Sequence, residues 1–384
     1  DSHRRQRQMC IRDRLKVIDF SQGVAGPYCG MLLAQYGAEV IKIEPKDGDW
    51  ARNLGQEYGQ HSAFSVTANL GKKSIVFDLK NKKSQPILDK IINECDVFIE
   101  GFRPGVIERL GYGYERLKNI NSKLIYLSIS GFGQKGPMSA KPAMDPVLQA
   151  FTGFMSENKG PDDIPHRTPV IIFDMTTALY ATQLVSSALF ARIKEDIGKK
   201  IEVSLMEAAA AIQSIRLMSG YMEGPYTHAS SPSGTFQTKD GWIQIIVVKN
   251  HEFTKFCNAV GWVNFLTDKR FLTNSLRRKH EAILTKEVQK LFIKKTTEYW
   301  KSLLNKFFKL KSNKFLLGNG FTELTTDKNI KKLFKIISAY NDKSEIRFVG
   351  GCIRKILNNE KIDDIDLATN INPSEVKKIL KDQN

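Results

Sequence analysis

The chain has 384 residues, of which 41% are hydrophobic and 26% charged, a composition typical of a globular protein and not of a disordered one. This length suffices for two domains or one large α/β domain. No apolar run approaches the roughly 20 residues that cross a bilayer, so we predict no membrane span. The net charge of +17 favours an anionic partner, although a lysine-biased genome would have the same effect.

The first 14 residues (1–14) are rich in arginine and contain no apolar core of a signal peptide. They resemble translated sequencing adapter, and we interpret them as a non-native leader. A basic arm that binds nucleic acid is the alternative.

From Leu15 onward, predicted strands and helices alternate, which indicates an α/β fold with a parallel sheet. The sequence predicts a short apolar strand at Leu15–Phe20 and an alternating strand at Glu39–Ile43. Further apolar runs predict buried strands at Ser74–Phe77, Val97–Ile99 and Leu124–Ile129. Helical stretches are predicted at Ala25–Tyr36, Ser84–Glu94, Val106–Leu110, 175–195 and 203–222. A strand at Trp242–Val248 and a basic, mostly helical segment at 251–304 follow.

Cysteine and histidine usage gives no sign of a metal site. The five cysteines are scattered and include no Cys-x-x-Cys pair, which argues against a disulfide framework or zinc and suits a reducing cytoplasm. The six histidines form no metal-like pair.

Asp174 stands where a long apolar segment (169–178) turns into a predicted helix. A carboxylate in that position is either a helix cap, which satisfies unpaired N–H groups, or a nucleophile. The residue pattern at this position leaves both interpretations open.

Several further motifs occur in a fixed order along the chain. They are Val24-Ala25-Gly26-Pro27, Gly37–Glu44, Phe77-Asp78-Leu79-Lys80, Gly101-Phe102-Arg103-Pro104-Gly105, Arg109-Leu110-Gly111, Ser130–Pro137 and Gly198–Ser204. Together with Asp174, they resemble the class III CoA-transferase family (CaiB/BaiF) over about residues 15–304. The resemblance implies a Rossmann-like large domain, a smaller domain, and two ring-like chains interlocked as a homodimer.

The resemblance also implies roles for individual residues. Asp174 corresponds to the nucleophile that forms an aspartyl anhydride and a CoA thioester, and Asp145 to a second catalytic carboxylate. An exposed turn residue is the alternative for Asp145. Coenzyme A enters as the acyl-CoA substrate, and no metal is required. Residues that correspond to CoA contacts are Val24, Ala25, Phe77, Asp78, Leu79, Lys80, Gly101, Phe102, Arg103, Arg109, Pro142, Ala143 and Met144.

The same family includes α-methylacyl-CoA racemases, which remove and return a proton with a His–Asp pair. Met144 stands where those racemases place the histidine. A thioether cannot abstract a proton, so we favour CoA transfer between an acyl-CoA and a carboxylic acid and keep the racemase as an alternative.

Near Asn305 the composition changes abruptly without a linker, so we place a boundary between 15–304 and 305–384. This segment contains Gly350-Gly351-Cys352-Ile353-Arg354 and the pair Asp364 and Asp366. With these residues, the stretch of about 345–382 resembles the start of the nucleotidyltransferase head domain of tRNA CCA-adding enzymes and poly(A) polymerases. The resemblance implies that the two aspartates would hold Mg²⁺ for phosphoryl transfer.

Both parts are expected to be partial, because each family continues beyond the segment found here. We therefore expect the head fragment to be inactive, nucleic acid not to be a partner, and the chain to be an assembly chimera. A genuine fusion with tRNA nucleotidyltransferase or RNA-binding activity is the alternative. A continuous read of source DNA across codons 295–315 distinguishes the two.

Overall fold

The computed structural model describes residues 15–159, 164–224, 228–308, 346–348 and 367–369. Backbone contacts divide the chain into two units, Asp1–Pro225 and Tyr226–Asn384. The first unit is built on a six-stranded parallel sheet, which confirms the predicted α/β class. The predicted leader 1–14 and the pair Asp364 and Asp366 lie outside the described residues.

Among the described residues of the first unit, eight strands are found. They are β1 (Lys16–Asp19), β2 (Glu39–Glu44), β3 (Glu57–Tyr58), β4 (His61–Ser62), β5 (Lys73–Val76), β6 (Val97–Glu100), β7 (Ile125–Ser130) and β8 (Lys199–Ser204). The large sheet has the order β5-β2-β1-β6-β7-β8, and β3 pairs with β4 in a small hairpin. The five strands predicted before residue 130 all form, within one or two residues of the expected bounds.

The described ranges of the same unit contain ten α-helices. They are α1 (Ala25–Gln35), α2 (Ala63–Asn69), α3 (Gln85–Asn93), α4 (Val106–Arg109), α5 (Tyr114–Ile120), α6 (Asp145–Phe151), α7 (Phe154–Glu157), α8 (Ile172–Glu195), α9 (Leu205–Ile212) and α10 (Ser214–Glu223). The single helix predicted at 203–222 is two helices that meet at Gln213. Gln213 is the C-cap of the first helix, with a φ of −94° and a ψ of 4°, and its backbone N–H and its side-chain amide both donate to the carbonyl of Ala209.

The central strands are buried on both faces, as their continuous apolar sequences require. In β6, Val97 and Ile99 join one hydrophobic cluster while Phe98 joins another on the opposite face. Helices α1 and α8 supply much of the first cluster. The edge strand β5 is different: all four of its residues are exposed, so the expectation of a buried strand there is wrong. In the described part of the sheet, β5 pairs with β2 and with no other strand.

The strand order reverses between β1 and β6. The strands that follow β1, which are β2 and β5, lie on one side of it, and those that follow β6, which are β7 and β8, lie on the other. The loops after β1 and β6 therefore lead away in opposite directions and leave a crevice at the carboxyl ends of these strands. Open parallel sheets bind ligands in such a crevice.

The second unit has a hairpin of β9 (Ser233–Gln237) and β10 (Trp242–Ile246), followed by helices. Its core is aromatic, with Phe236, Phe256, Phe292 and Trp300 buried together. The helices are α11 (Asn250–Val260), α12 (Asn274–Lys279), α13 (Glu281–Phe292) and α14 (Thr297–Phe308). The strand and the helical segment predicted for this region are confirmed.

Two short strands are described beyond residue 308. These strands, β11 (Ile346–Phe348) and β12 (Leu367–Thr369), pair antiparallel. Among the helices of the described ranges, none combines the length and the apolar character that a bilayer crossing requires.

Candidate active site

A pocket of about 430 Å³ opens at the carboxyl ends of β1, β6 and β7. Its walls come from the segments that follow these three strands, from Trp50 after β2, and from the starts of α8 and α9. This is the crevice that the strand order creates, and its volume is within the range of small-molecule sites. Nine of the residues proposed from the sequence line it: Val24, Ala25, Gly101, Phe102, Arg103, Pro142, Ala143, Met144 and Asp174.

Asp174 is the third residue of α8, and its partly buried side chain faces the pocket. Within the described part of the chain, its carboxylate accepts no hydrogen bond, so Asp174 is not the cap of this helix. Burial and, to a smaller extent, the nearby carboxylate of Asp145 raise the pKa of Asp174 to about 7. The helix N-terminus places partial positive charge beside the carboxylate, which helps to hold it when ionised.

Asp145 provides the cap that Asp174 does not. It is 1% exposed, and its Oδ2 accepts hydrogen bonds from the backbone N–H of Phe173 at 2.6 Å and of Asp174 at 3.3 Å. Its Oδ1 accepts from Nε2 of Gln149 at 2.6 Å. The alternative of an exposed turn residue is therefore wrong. Asp145 is not among the residues that line the pocket. It holds the first turn of α8 through the two backbone N–H groups that donate to it.

The loop after β6 is held by a chain of polar side chains. Oε2 of Glu100 accepts from the N–H of Phe102 at 2.9 Å, and Oε1 accepts from the hydroxyl of Ser128. Nε2 of Gln134 donates to that hydroxyl at 2.7 Å. Burial raises the pKa of Glu100 to about 7. The chain links the segments after β6 and β7 and so fixes Phe102 and Arg103 at the pocket.

Five of the proposed CoA contacts do not line the pocket. Four of them follow the edge strand β5, two strands away from the crevice, and there Phe77 and Leu79 pack against the hydrophobic cluster that contains Phe98. Asp78 and Lys80 are exposed, as is Arg109 at the end of α4. The five residues are Phe77, Asp78, Leu79, Lys80 and Arg109.

Sequence reasoning did not single out several lining residues, including Gln22, Trp50, Lys141 and Leu205. Trp50 follows Gly48-Asp49 just after β2, and this turn at the end of a strand could have identified Trp50 as a candidate site residue.

Lys141 adds a second cation to that of Arg103. The described lining of the pocket therefore combines one carboxylate, two cations and an apolar wall, and the two cations suit an anionic ligand. Within the described ranges, no cluster of His, Cys, Asp and Glu could hold a metal ion.

Comparison with known proteins agrees with the fold. Residues 13–309 match the model of CoA-transferase family III. The chain therefore belongs to this family and is an enzyme of the CoA-transferase class. Among curated relatives, it is 34% identical to an acetyl-CoA:oxalate CoA-transferase of Acetobacter aceti, with 77% of this chain and 78% of that protein covered. It is 32% identical to the human succinyl-CoA:glutarate CoA-transferase, with 74% and 67% covered.

Solved structures give the same result. A crystal structure of Rv3272 from Mycobacterium tuberculosis superposes with a TM-score of 0.70 at 31% identity and covers 77% of this chain and 81% of that one. A CAIB/BAIF family protein from Brucella suis superposes with a TM-score of 0.68 at 29% identity and covers 83% and 87%. Separately, residues 346–384 match the poly A polymerase head domain, as the sequence predicts.

Proposed function

We propose that this enzyme transfers coenzyme A between carboxylic acids through covalent intermediates on Asp174. The observation that carries the proposal is the position of this carboxylate, which faces the pocket at a helix N-terminus without a hydrogen bond from another described residue. Nucleophiles must be open to the substrate, and a carboxylate that is poorly solvated is more reactive than one in water. Arg103 and Lys141 at the same pocket supply charge for the phosphates of coenzyme A.

The proposed reaction proceeds in four steps. The carboxylate of Asp174 attacks the thioester carbonyl of the donor, and the C–S bond breaks. CoA departs as the thiolate, and the donor acyl group remains on Asp174 as a mixed anhydride. The thiolate attacks the Asp174 carbonyl and releases the donor acid, which leaves an aspartyl-CoA thioester. The acceptor carboxylate attacks this thioester to form a second anhydride and free thiolate. Attack of that thiolate on the acceptor carbonyl forms the new acyl-CoA and regenerates the carboxylate of Asp174.

Relatives named for oxalate and for glutarate suggest dicarboxylic acids as acceptors. The direct test incubates the protein with acetyl-CoA or succinyl-CoA and a panel of dicarboxylic acids. Chromatography with mass detection should show a new acyl-CoA and the free donor acid in equal amounts. Hydrolysis to free CoA without a new acyl-CoA would contradict transfer.

Transfer is favoured over racemisation by the composition of the pocket. The described residues that line it include no histidine, and Met144 lies among them. A racemase of this family needs two groups that exchange the α-proton, and a thioether is not one of them. Incubation of an α-methylacyl-CoA in D₂O should therefore leave the α-position unlabelled.

Arg103 is expected to contribute to the binding of CoA and little to the chemical step. Replacement by Ala should raise KM for the acyl-CoA about 10- to 100-fold and change kcat by less than about twofold, since one charge-assisted hydrogen bond contributes roughly 1.5–3 kcal/mol. Steady-state kinetics at saturating acceptor measure both constants. Lys286→Ala, which removes an exposed cation of the second unit, is the matched control and should change neither.

We also propose a homodimer, as the resemblance implies. Helix α10 exposes Ile215 by 82%, Met218 by 58%, Tyr221 by 90% and Met222 by 73%, and these spacings place them on one face. Monomeric proteins rarely expose such a contiguous apolar patch. Light scattering after size exclusion should give about twice the chain mass of 43.5 kDa. Ile215→Lys with Tyr221→Lys should lower that mass, and a monomeric wild-type protein would contradict the proposal.

A further inference from the structure

Lys42 of β2 and Asp49 form an ion pair that is almost completely removed from solvent. It lies next to the segments that bring Val24, Ala25 and Trp50 to the pocket. Nζ of Lys42 lies 2.9 Å from Oδ2 of Asp49, and the side chains are 2% and 1% exposed. Charged residues are seldom buried to this extent, and such a pair contributes little net stability compared with apolar residues of the same size. Its placement therefore calls for a further explanation.

The pair holds the turn between β1 and α1 at both of its ends. Nζ of Lys42 donates to the carbonyl oxygen of Ser21 at 2.7 Å. Oδ1 of Asp49 accepts from the N–H of Gly23 at 2.9 Å. Val24 and Ala25, which line the pocket, come directly after this turn. Their position is thus coupled to the ion pair through the backbone of residues 21–23.

Asp49 also holds the wall that carries Trp50. The same Oδ1 accepts from the N–H of Ala51 at 2.9 Å, and the N–H of Asp49 donates to Oε2 of Glu44 at 2.9 Å. The ring of Trp50 lies against Gly23, where an added Cβ would stand 2.4 Å from Cζ2 of the indole. Gly23 has a φ of +82°, which also favours glycine at this position. One carboxylate oxygen therefore joins two walls of the pocket.

We propose that Lys42 and Asp49 are positioning residues that fix Trp50 relative to Val24 and Ala25 and thereby determine which acyl groups the pocket accepts. The inference rests on the proposed CoA transfer. Neither residue lines the pocket, so both act through the backbone that they bind. A displacement of about 1 Å at a reacting site changes rates by as much as 10²-fold. A change in the distance between Trp50 and the segment Val24–Ala25 should affect long and short acids differently.

The test compares acceptor selectivity, since a loss of folded protein lowers all rates equally and leaves their ratio unchanged. In Asp49→Ala, the ratio of kcat/KM for glutarate to that for oxalate should change at least tenfold. In Asp49→Asn, which keeps an oxygen that can accept from Gly23 and Ala51, the ratio should change about threefold. The matched control is Asp89→Asn, which breaks the ion pair with Arg116 away from the pocket and should leave the ratio unchanged.

Hydrogen exchange followed by mass spectrometry provides a readout that does not depend on activity. Peptides that cover residues 20–26 and 49–53 should exchange faster in Asp49→Ala than in wild type, and Asp89→Asn should match wild type there. If the wild-type enzyme transfers no CoA, the proposed function fails. The positioning role of Lys42 and Asp49 is then still tested by the exchange rates and by the affinity for acetyl-CoA, each compared between Asp49→Ala and wild type. If Asp49→Ala does not fold, Asp49→Asn is judged by the same measurements. Unchanged selectivity, or unchanged exchange in both segments, overturns the inference.

Discussion

Replacement of Asp174 by Asn should lower kcat/KM for CoA transfer by about 10⁴-fold or more, because the amide cannot form the anhydride on which the proposed steps depend. The side chains have nearly the same size, so the pocket should keep its shape. Initial rates of new acyl-CoA formation, measured with wild type and variant under the same conditions, test the expectation. A variant that retains a tenth of the wild-type rate would contradict a covalent role for Asp174.

Chemical trapping should locate the intermediate on the same residue. Addition of hydroxylamine during turnover should convert the aspartyl thioester to a hydroxamate, which peptide mass spectrometry detects at Asp174. Two carboxylates serve as matched controls: Asp145 is buried directly behind Asp174, and Glu100 also has a pKa raised to about 7 by burial. Neither lines the pocket, so both should stay unmodified. An unmodified Asp174 under turnover would count against the covalent route.

The stability of Asp174→Asn separates loss of chemistry from loss of fold. The pKa of Asp174 is about 7 in the folded protein and about 4 in an unfolded chain. Between these values the folded state binds more protons, so this group lowers stability as the pH rises from about 4 to about 7. The neutral amide avoids that loss. At pH 8 the variant should therefore unfold at a temperature equal to or above that of wild type.

The central strands could be predicted from sequence because burial on both faces requires continuous apolar runs, as in Val97–Ile99. The edge strand shows the limit of that reasoning. Ile75 and Val76 have the side chains of a buried strand, but the sequence does not show that β5 lies at the edge of the sheet, as it does among the described residues. The break at Gln213 lies in the backbone conformation of a single residue, which no hydrophobic periodicity reveals.

The candidate site was predictable where motifs follow strands directly. Gly101–Arg103 lie at the end of β6, and the strand order brings that end to the pocket. The orientation of Asp145 was not predictable, because its partner Phe173 is 28 residues away and their contact depends on how α6 meets α8. The same applies to Trp50, whose approach to Gly23 depends on the buried pair beneath it. Tertiary contacts of single residues, and not local pattern, decide these cases.

The pH dependence of the reaction should follow the ionisation of Asp174. Only the ionised carboxylate attacks the thioester, and its pKa is about 7. The value of kcat/KM should therefore rise tenfold per pH unit below pH 7 and level off above it, which makes the rate at pH 5.5 about 30-fold lower than the plateau. Phosphate groups of CoA titrate near pH 6, so acyl-dephospho-CoA serves as a control substrate. It should give the same fall of kcat/KM below pH 7, which is the acidic limb of the pH profile.

The variant Asp145→Asn tests the physical cause of this limb. The charge of Asp145 is one of the two causes that raise the pKa of Asp174, and burial is the larger. An Asn at this position keeps an oxygen that can accept from the N–H of Phe173 but carries no charge. Removal of the repulsion should lower the pKa of Asp174 and move the acidic limb to lower pH. A limb that stays in place would mean that another group controls it, and a limb that moves to higher pH would show that Asp145 stabilises the ionised form.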